Sequence, residues 1–336
     1  MKSSIYLLVL IALITSSCKQ RSKSPALHVK EYNFPFNLNY PNKTIELSKK
    51  LNEISGLTHD NQDQLWCIND EKALLFRLDA TGEISQSIDF GKNDDYEGLS
   101  YSNGLMYITE SNGNIKIINL TTEEKINEYN TVLKQKNDIE GLYYYEKDNA
   151  LLMASKSETK KGNIKIYKFD LEKNEILDET MFTIDIRSSV DSLEKINSVD
   201  HIFVNLTLGA RIKQFAPSGI AQDPYTNFFY ILSSRGKLLV VIDEAGRVQY
   251  IQLLSKKLFG QPEGISFDSK GNLYISNEAK STRANIQIFN RQDSILIEVQ
   301  KSSLIEQLFD KDTSGSVTIL RESGSIDSTY QNKEHN

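Results

Sequence analysis

The chain has 336 residues, 39% of them apolar and 25% charged, which is the make-up of a globular protein large enough for one big domain or two ordinary ones. A formal net charge of -6, with no long Lys/Arg run beyond the Lys19 to Lys30 stretch, argues against a nucleic-acid partner, which requires a basic face. Two cysteines, Cys18 and Cys67, can build neither a disulfide framework nor a cysteine metal site.

In chain order, Lys2 precedes the apolar run Ile5 to Ile14, which is too short to span a bilayer, and Thr15-Ser16-Ser17 then leads into Cys18. This resembles a bacterial lipoprotein signal occupying residues 1–17, with Cys18 carrying the acyl chains. Such signals usually have Leu, Val or Ile three residues before the cysteine, where this chain has Thr15; an ordinary secretory leader is the alternative. The expectation is a monomer anchored in the bacterial cell envelope without crossing it. Because the residue directly after Cys18 is not acidic, the outer membrane facing the periplasm is the expected location. Residues 18–42, polar with scattered prolines, read as a tether. Cys67, in Leu65-Trp66-Cys67-Ile68, reads as a small buried hydrophobe.

A short motif then recurs: Glu53-Ile54-Ser55-Gly56-Leu57, Asp95-Tyr96-Glu97-Gly98-Leu99, Asp138-Ile139-Glu140-Gly141-Leu142, Ala216-Pro217-Ser218-Gly219-Ile220 and Gln261-Pro262-Glu263-Gly264-Ile265. Its glycines fall at 56, 98, 141, 219 and 264, so three steps are 42 to 45 residues and one is 78. Each motif opens a run of four short strands separated by Gly/Asn/Asp turns, the period of a β-propeller blade. The fold class predicted is all-β, a five-bladed propeller over residues 43–300, with Lys43 to Ser48 closing the last blade. The 78-residue step reads as a helical insertion at about 187–215, between blades three and four, because Val190, Leu193, Ile196 and Val199 fall at helical spacing. A sixth blade without a motif is the alternative. Residues 301–336 read as a polar tail.

In such a ring the motif residues converge at one mouth of the channel, so Ser55, Glu97, Glu140, Ser218 and Glu263 form a candidate ring of oxygen ligands. Three carboxylates within about 5 Å repel by about 3 kcal/mol per pair at an effective dielectric near 20. Protonation, surrounding donors or a cation must offset this, and a roomy set of oxygens suits Ca²⁺. Hydrogen bonding that merely cements the ring, or a water-filled channel, would serve as well. The ends of the second strands should return to the same mouth, placing Asp70, Glu110, Lys156, Arg235, Asn277 and Glu278 as candidate contacts for a small anionic ligand. The histidines show no ligand spacing, and no nucleophile elbow or phosphate-cradling glycine loop is present.

On these motifs, and most specifically on Ser218-Gly219-Ile220 through Glu263-Gly264-Ile265 to Asn277-Glu278, the sequence resembles the SdiA-regulated (YjiK-like) family of envelope proteins over roughly Asn52 to Val299. The resemblance implies a five-bladed propeller and strengthens the expectation of calcium, but supplies no substrate. Two functional readings follow. One is a membrane-tethered binding or scaffold propeller with Ca²⁺ at the channel mouth; the other is a Ca²⁺-dependent hydrolase of phosphoesters or related small esters.

Overall fold

The computed structural model describes residues 26–28, 32–156, 164–189, 194–196, 208–280 and 282–292. The chain divides into Met1–Arg291 and Gln292–Asn336, and the sheets described below lie in the first unit.

Five antiparallel sheets follow one another along the chain. Blade 1 comprises Ile54–His59, Leu65–Asn69, Lys72–Leu78 and Ile84–Asp89. Blade 2 comprises Tyr96–Ser102, Leu105–Glu110, Ile115–Asn119 and Glu124–Tyr129. Blade 3 runs from Ile139–Tyr145 through Ala150–Ser155 and Ile164–Asp170, with Glu175–Ile176 and Phe182–Ile184 both pairing its third strand. Blade 4 holds Gly219–Gln222, Phe229–Ser233, Leu238–Ile242 and Val248–Leu253. Blade 5 holds Pro262–Phe267, Leu273–Asn277 and Asn285–Phe289. Burial explains the composition: Leu65–Asn69 and Leu238–Ile242 are buried throughout, whereas the outer strand Glu124–Tyr129 is exposed and charged, which protects a sheet edge.

The expected closure is present. Lys43–Glu46 pairs antiparallel with Asn285–Phe289, so the N-terminal side of the chain supplies the outermost strand of the last blade. Around the axis the closure rests on the motif glycines. A Cβ built on Gly56 would come within 2.7 Å of Leu99 Cβ, and one on Gly264 within 2.7 Å of Leu57 Cβ and 2.6 Å of the Ser55 carbonyl oxygen. Each motif thus packs its backbone on the motif of the next blade, a contact that a side chain would block. Gly264→Ala is accordingly expected to cost about 1–3 kcal/mol of stability by overpacking, measured as a lowered urea midpoint.

Two expectations change. The described parts of the predicted helical insertion contain only short helical pieces, Ile186–Ser189 and a turn at 208–212, and Ile196 lies in a strand, Glu194–Ile196. That strand pairs with Ala26–His28, which pairs in turn with Val248–Leu253 and extends blade 4 to six strands. The exposed outer edge of blade 4 offers ladder hydrogen bonds that an isolated short helix does not, so edge pairing overrides helical periodicity there. Val190, Leu193 and Val199 lie outside the described residues. So do the leader, Cys18 and the 301–336 tail.

The tether expected over 18–42 is shorter than its composition suggests. Phe36 and Leu38 are buried, Phe34 stacks on Tyr250 with ring centroids 4.0 Å apart, and the Tyr32 hydroxyl lies 2.9 Å from that of Tyr230. The alternation Tyr32, Phe34, Phe36, Leu38 lays one apolar face onto blades 4 and 5. Among the described residues no helix is long and apolar enough to cross a membrane.

Candidate functional site

The first strand of each blade begins with its motif, and in four of the five a register shift falls at the residue before the glycine or next to it. A bulge at that point re-aims the side chain. Ser55, Glu140, Ser218 and Glu263 are buried, and Glu97 is partly buried. The five residues meet at one end of the channel. Ser55 Oγ lies 2.6 Å from the Glu97 carbonyl oxygen and 3.1 Å from Glu97 Oε2. Ser218 Oγ donates to the Pro262 carbonyl oxygen at 2.9 Å. Lys156, at the end of the second strand of blade 3, places its ammonium on Glu140 Oε1. Glu140, Ser218 and Glu263 bound a small cavity of about 10 Å³, room for roughly one water-sized occupant.

The electrostatics of this end are strained. Burial, then repulsion from Glu140 and Asp95, pushes the Glu97 carboxyl far above its ordinary range. Burial also raises Glu140, against the pull of Lys156, and raises Glu263, against Lys156 and the neighbouring Ser234 and Gln261. Burial by itself would lower the Lys156 ammonium, yet Glu140, Glu263 and Glu97 hold it above its usual value. Glu263 Oε2 is buried and has no hydrogen-bond partner. An oxygen in that state costs on the order of 1–3 kcal/mol unless protonated or bound to a cation.

A second acidic layer adjoins the first. Single oxygens of Glu53, Asp70 and Glu278 all lie within 4.8 Å of one another. Burial and then Glu263, Asp70 and Glu53 push Glu278 up to about 8. Burial, with Glu53, Glu71 and Asp95 adding repulsion, pushes Asp70 up to about 6. Asp70 Oδ1 and Asn277 Oδ1 are buried without partners, while Asn277 Nδ2 donates to Asn285 Oδ1 at 3.1 Å. Gln261 Nε2 donates to Glu278 Oε2 and so links this layer to the ring.

The remaining candidates are placed differently. Glu110 is turned into its own hairpin, where Lys116, Asn112 and Asn114 all donate to its carboxylate and leave it nothing for a ligand. Arg235 is exposed to solvent. Lys237, two residues on, is the partly buried cation of this turn; burial lowers its pKa to about 8, and Glu263 opposes the shift. Sequence reading missed Lys237, Glu53 and Gln261. The signal for the last two was available, since Glu53, Asp95, Asp138 and Gln261 hold the first position of their motifs. There the carbonyl of each accepts the N–H of the residue that follows strand two of its own blade, as Asp70 N to Glu53 O at 3.1 Å and Glu278 N to Gln261 O at 2.9 Å illustrate.

The arrangement can therefore hold one small cation among buried oxygens, with Lys156 and Lys237 at its border and carboxyls nearby that titrate close to neutrality. A family model described as SdiA-regulated matches residues 32–281. No curated protein matches the sequence significantly. Among solved structures, the glutaminyl cyclase of Myxococcus xanthus is 11% identical with a TM-score of 0.53, over 76% of this chain and 97% of that one. Virginiamycin B lyase of Staphylococcus aureus is 15% identical with a TM-score of 0.40, over 70% and 66% of the two chains. At such identities the first likeness speaks for the propeller fold alone.

Proposed function

The chain belongs to the SdiA-regulated family, and on that premise we propose that it is an envelope-anchored binding propeller that holds Ca²⁺ in the acidic channel mouth and uses it to retain a small anionic ligand. The observation that carries this reading is Glu263 Oε2, buried without a partner beside a cavity that Glu140 and Ser218 also bound. Glu97, Glu140 and Glu263, with Ser55 and Ser218, would hold the ion. All are hard oxygens, and their raised pKa values mark a set that gains from a divalent cation. Calcium would supply positive charge at a point where carboxyls outnumber the protein's own two amines. Lys156 and Lys237 flank that point, so an anion drawn there would be met from the protein side by two amines. Anchoring through Cys18 rests on the leader sequence, which suits an outer-membrane protein facing the periplasm.

A second reading has its own support. Asp70 and Glu278, pushed to about 6 and about 8, can give and take protons near neutral pH, as hydrolysis of a phosphoester or related small ester requires. The test is calorimetric titration of the full chain, purified in detergent, with CaCl₂, followed by phosphatase and esterase panels with and without Glu140→Gln. Saturable calcium binding that Glu263→Gln weakens by at least about ten-fold is expected, with no turnover. Calcium-dependent turnover lost in Glu140→Gln would replace the binding reading with the enzyme, and absence of calcium binding would overturn both.

A further inference from the structure

The channel has a second end, and its chemistry differs from the first. The residue after each motif glycine is apolar: Leu57, Leu99, Leu142, Ile220 and Ile265. These five side chains form a collar across the axis, because they border both the small acidic-mouth cavity and a larger one of about 390 Å³ on the other side. A cavity of that size falls in the range of small-molecule sites, about 300–1,000 Å³. Closed below by hydrocarbon, it is not continuous with the carboxylate ring.

Its walls carry the aromatic rings of Tyr101, Tyr143, Tyr144 and Phe267. Between them stand uncharged polar groups, including Ser266 Oγ, 3.0 Å from His59 Nδ1. Burial lowers the His59 imidazole to about 4, so the ring is neutral at physiological pH. The charged lining is of one sign: Asp60, Asp63, Glu146 and Asp268, with no lysine or arginine lining the cavity among the described residues. Asp60 and Asp268 accept hydrogen bonds from donors of their own hairpins, and Asp63 accepts them from Ser269 in the turn of the neighbouring blade. Trp66 Nε1 donates to Asp60 at 2.9 Å, Ser269 N to Asp63 at 2.7 Å, and Asn272 N to Asp268 at 2.8 Å. The acidic rim thus sets a negative field over a low-dielectric, aromatic-walled cup, which concentrates cations.

We propose that this opposite mouth is a binding site for a small organic cation, an amine whose apolar end rests on the collar and whose charge lies among the tyrosines and the acidic rim. The site is independent of the calcium mouth. Two cationless classes fit it less well: an anion meets four carboxylates and no counter-charge, and a neutral molecule gains nothing from the field.

The experiment titrates the full chain by calorimetry with three probes of similar shape, 2-phenylethylamine, 2-phenylethanol and 3-phenylpropionate, at pH 7.5. The amine should bind at least about ten-fold more tightly than the alcohol, with the carboxylate weakest, and its affinity should fall as NaCl is raised. Thr58→Trp, which fills the cavity wall, should abolish amine binding. Asp63→Asn, a milder change, should weaken the amine without affecting the alcohol. Glu140→Gln, at the other end, should leave amine binding unchanged. Equal affinity for amine and alcohol, amine binding that survives Thr58→Trp in a protein with unchanged circular dichroism, or no binding of the amine would each overturn the proposal.

Discussion

Asp223→Ala is expected to remove about 3–5 kcal/mol of folding stability, a large part of what holds an ordinary domain together. Asp223 Oδ1 and Arg291 Nη1 are 2.7 Å apart, and both side chains are wholly buried. The pair joins the turn after the first strand of blade 4 to the end of blade 5. The Arg291 guanidinium also lies 4.8 Å from the Tyr225 ring centroid and 5.8 Å from that of Phe36, so the N-terminal segment is drawn into the same knot. Removing the aspartate takes a charged, hydrogen-bonded partner from a buried guanidinium and deprives the Asp223 turn of its acceptor for Tyr225 N and Thr226 Oγ1. Urea unfolding should show a much lower midpoint with little change in slope. Replacing both partners, Asp223→Leu with Arg291→Met, should recover part of the loss, because a matched apolar pair has no stranded charge. A single-variant loss below about 1 kcal/mol would mean that water reaches the pair and that the knot does not hold blades 4 and 5 together.

Nothing in the local sequence singled out Asp223 or Arg291, whereas the repeat was open to reading. The five-residue motif was legible because its glycine serves a repeated steric need: at Gly56 and Gly264 the next blade comes within 2.7 Å of where a Cβ would stand. The ring of Ser55, Glu97, Glu140, Ser218 and Glu263 followed from that spacing, since a residue next to a repeated axial glycine must itself lie near the axis. The clasp through Lys43–Glu46 was legible as a strand without a blade of its own.

What escaped has a common cause. Pairing of Ala26–His28 with both Glu194–Ile196 and Val248–Leu253 joins segments far apart in the chain, and no local periodicity encodes such a partner. Glu110 reads like Asn69, Ser155 or Asn277 at the end of a second strand, but Lys116 six residues later captures it, an event decided by side-chain reach. Lys237 was passed over for Arg235 because both sit in one turn, and only the backbone shows which side chain faces Glu263. Its φ of 50° places it in the left-handed region, where the turn reverses.

Raising the pH from about 6.5 to about 8 is expected to weaken the metal-free fold while strengthening the calcium binding proposed for the channel mouth. Glu97, Glu140, Glu263 and Glu278 all have folded-state pKa values above those of an unfolded chain, so the native protein keeps protons that the unfolded chain has already released. For such groups stability falls as pH climbs from the unfolded value toward the folded one. His59 acts in the opposite sense, but only between about 4 and 6.5, because its folded value is the lower one. Lys156, held above its ordinary 10.5, keeps its stabilising contribution throughout this window and loses it only at higher pH. The interval from 6.5 to 8 is therefore governed by the mouth carboxyls. Calcium requires them ionised, so binding must expel their protons, and affinity should rise by up to about ten-fold per pH unit for each proton displaced. Calorimetry in Tris and in HEPES, which differ in ionisation enthalpy, would count those protons. Urea unfolding across the window should show a falling midpoint without calcium and a flat or rising one at saturating calcium. Glu278→Gln should flatten the metal-free profile near pH 8. A metal-free midpoint that holds steady or climbs from 6.5 to 8 would mean that the carboxyls are already ionised and compensated, and that Lys156 by itself suffices as the cation of the ring.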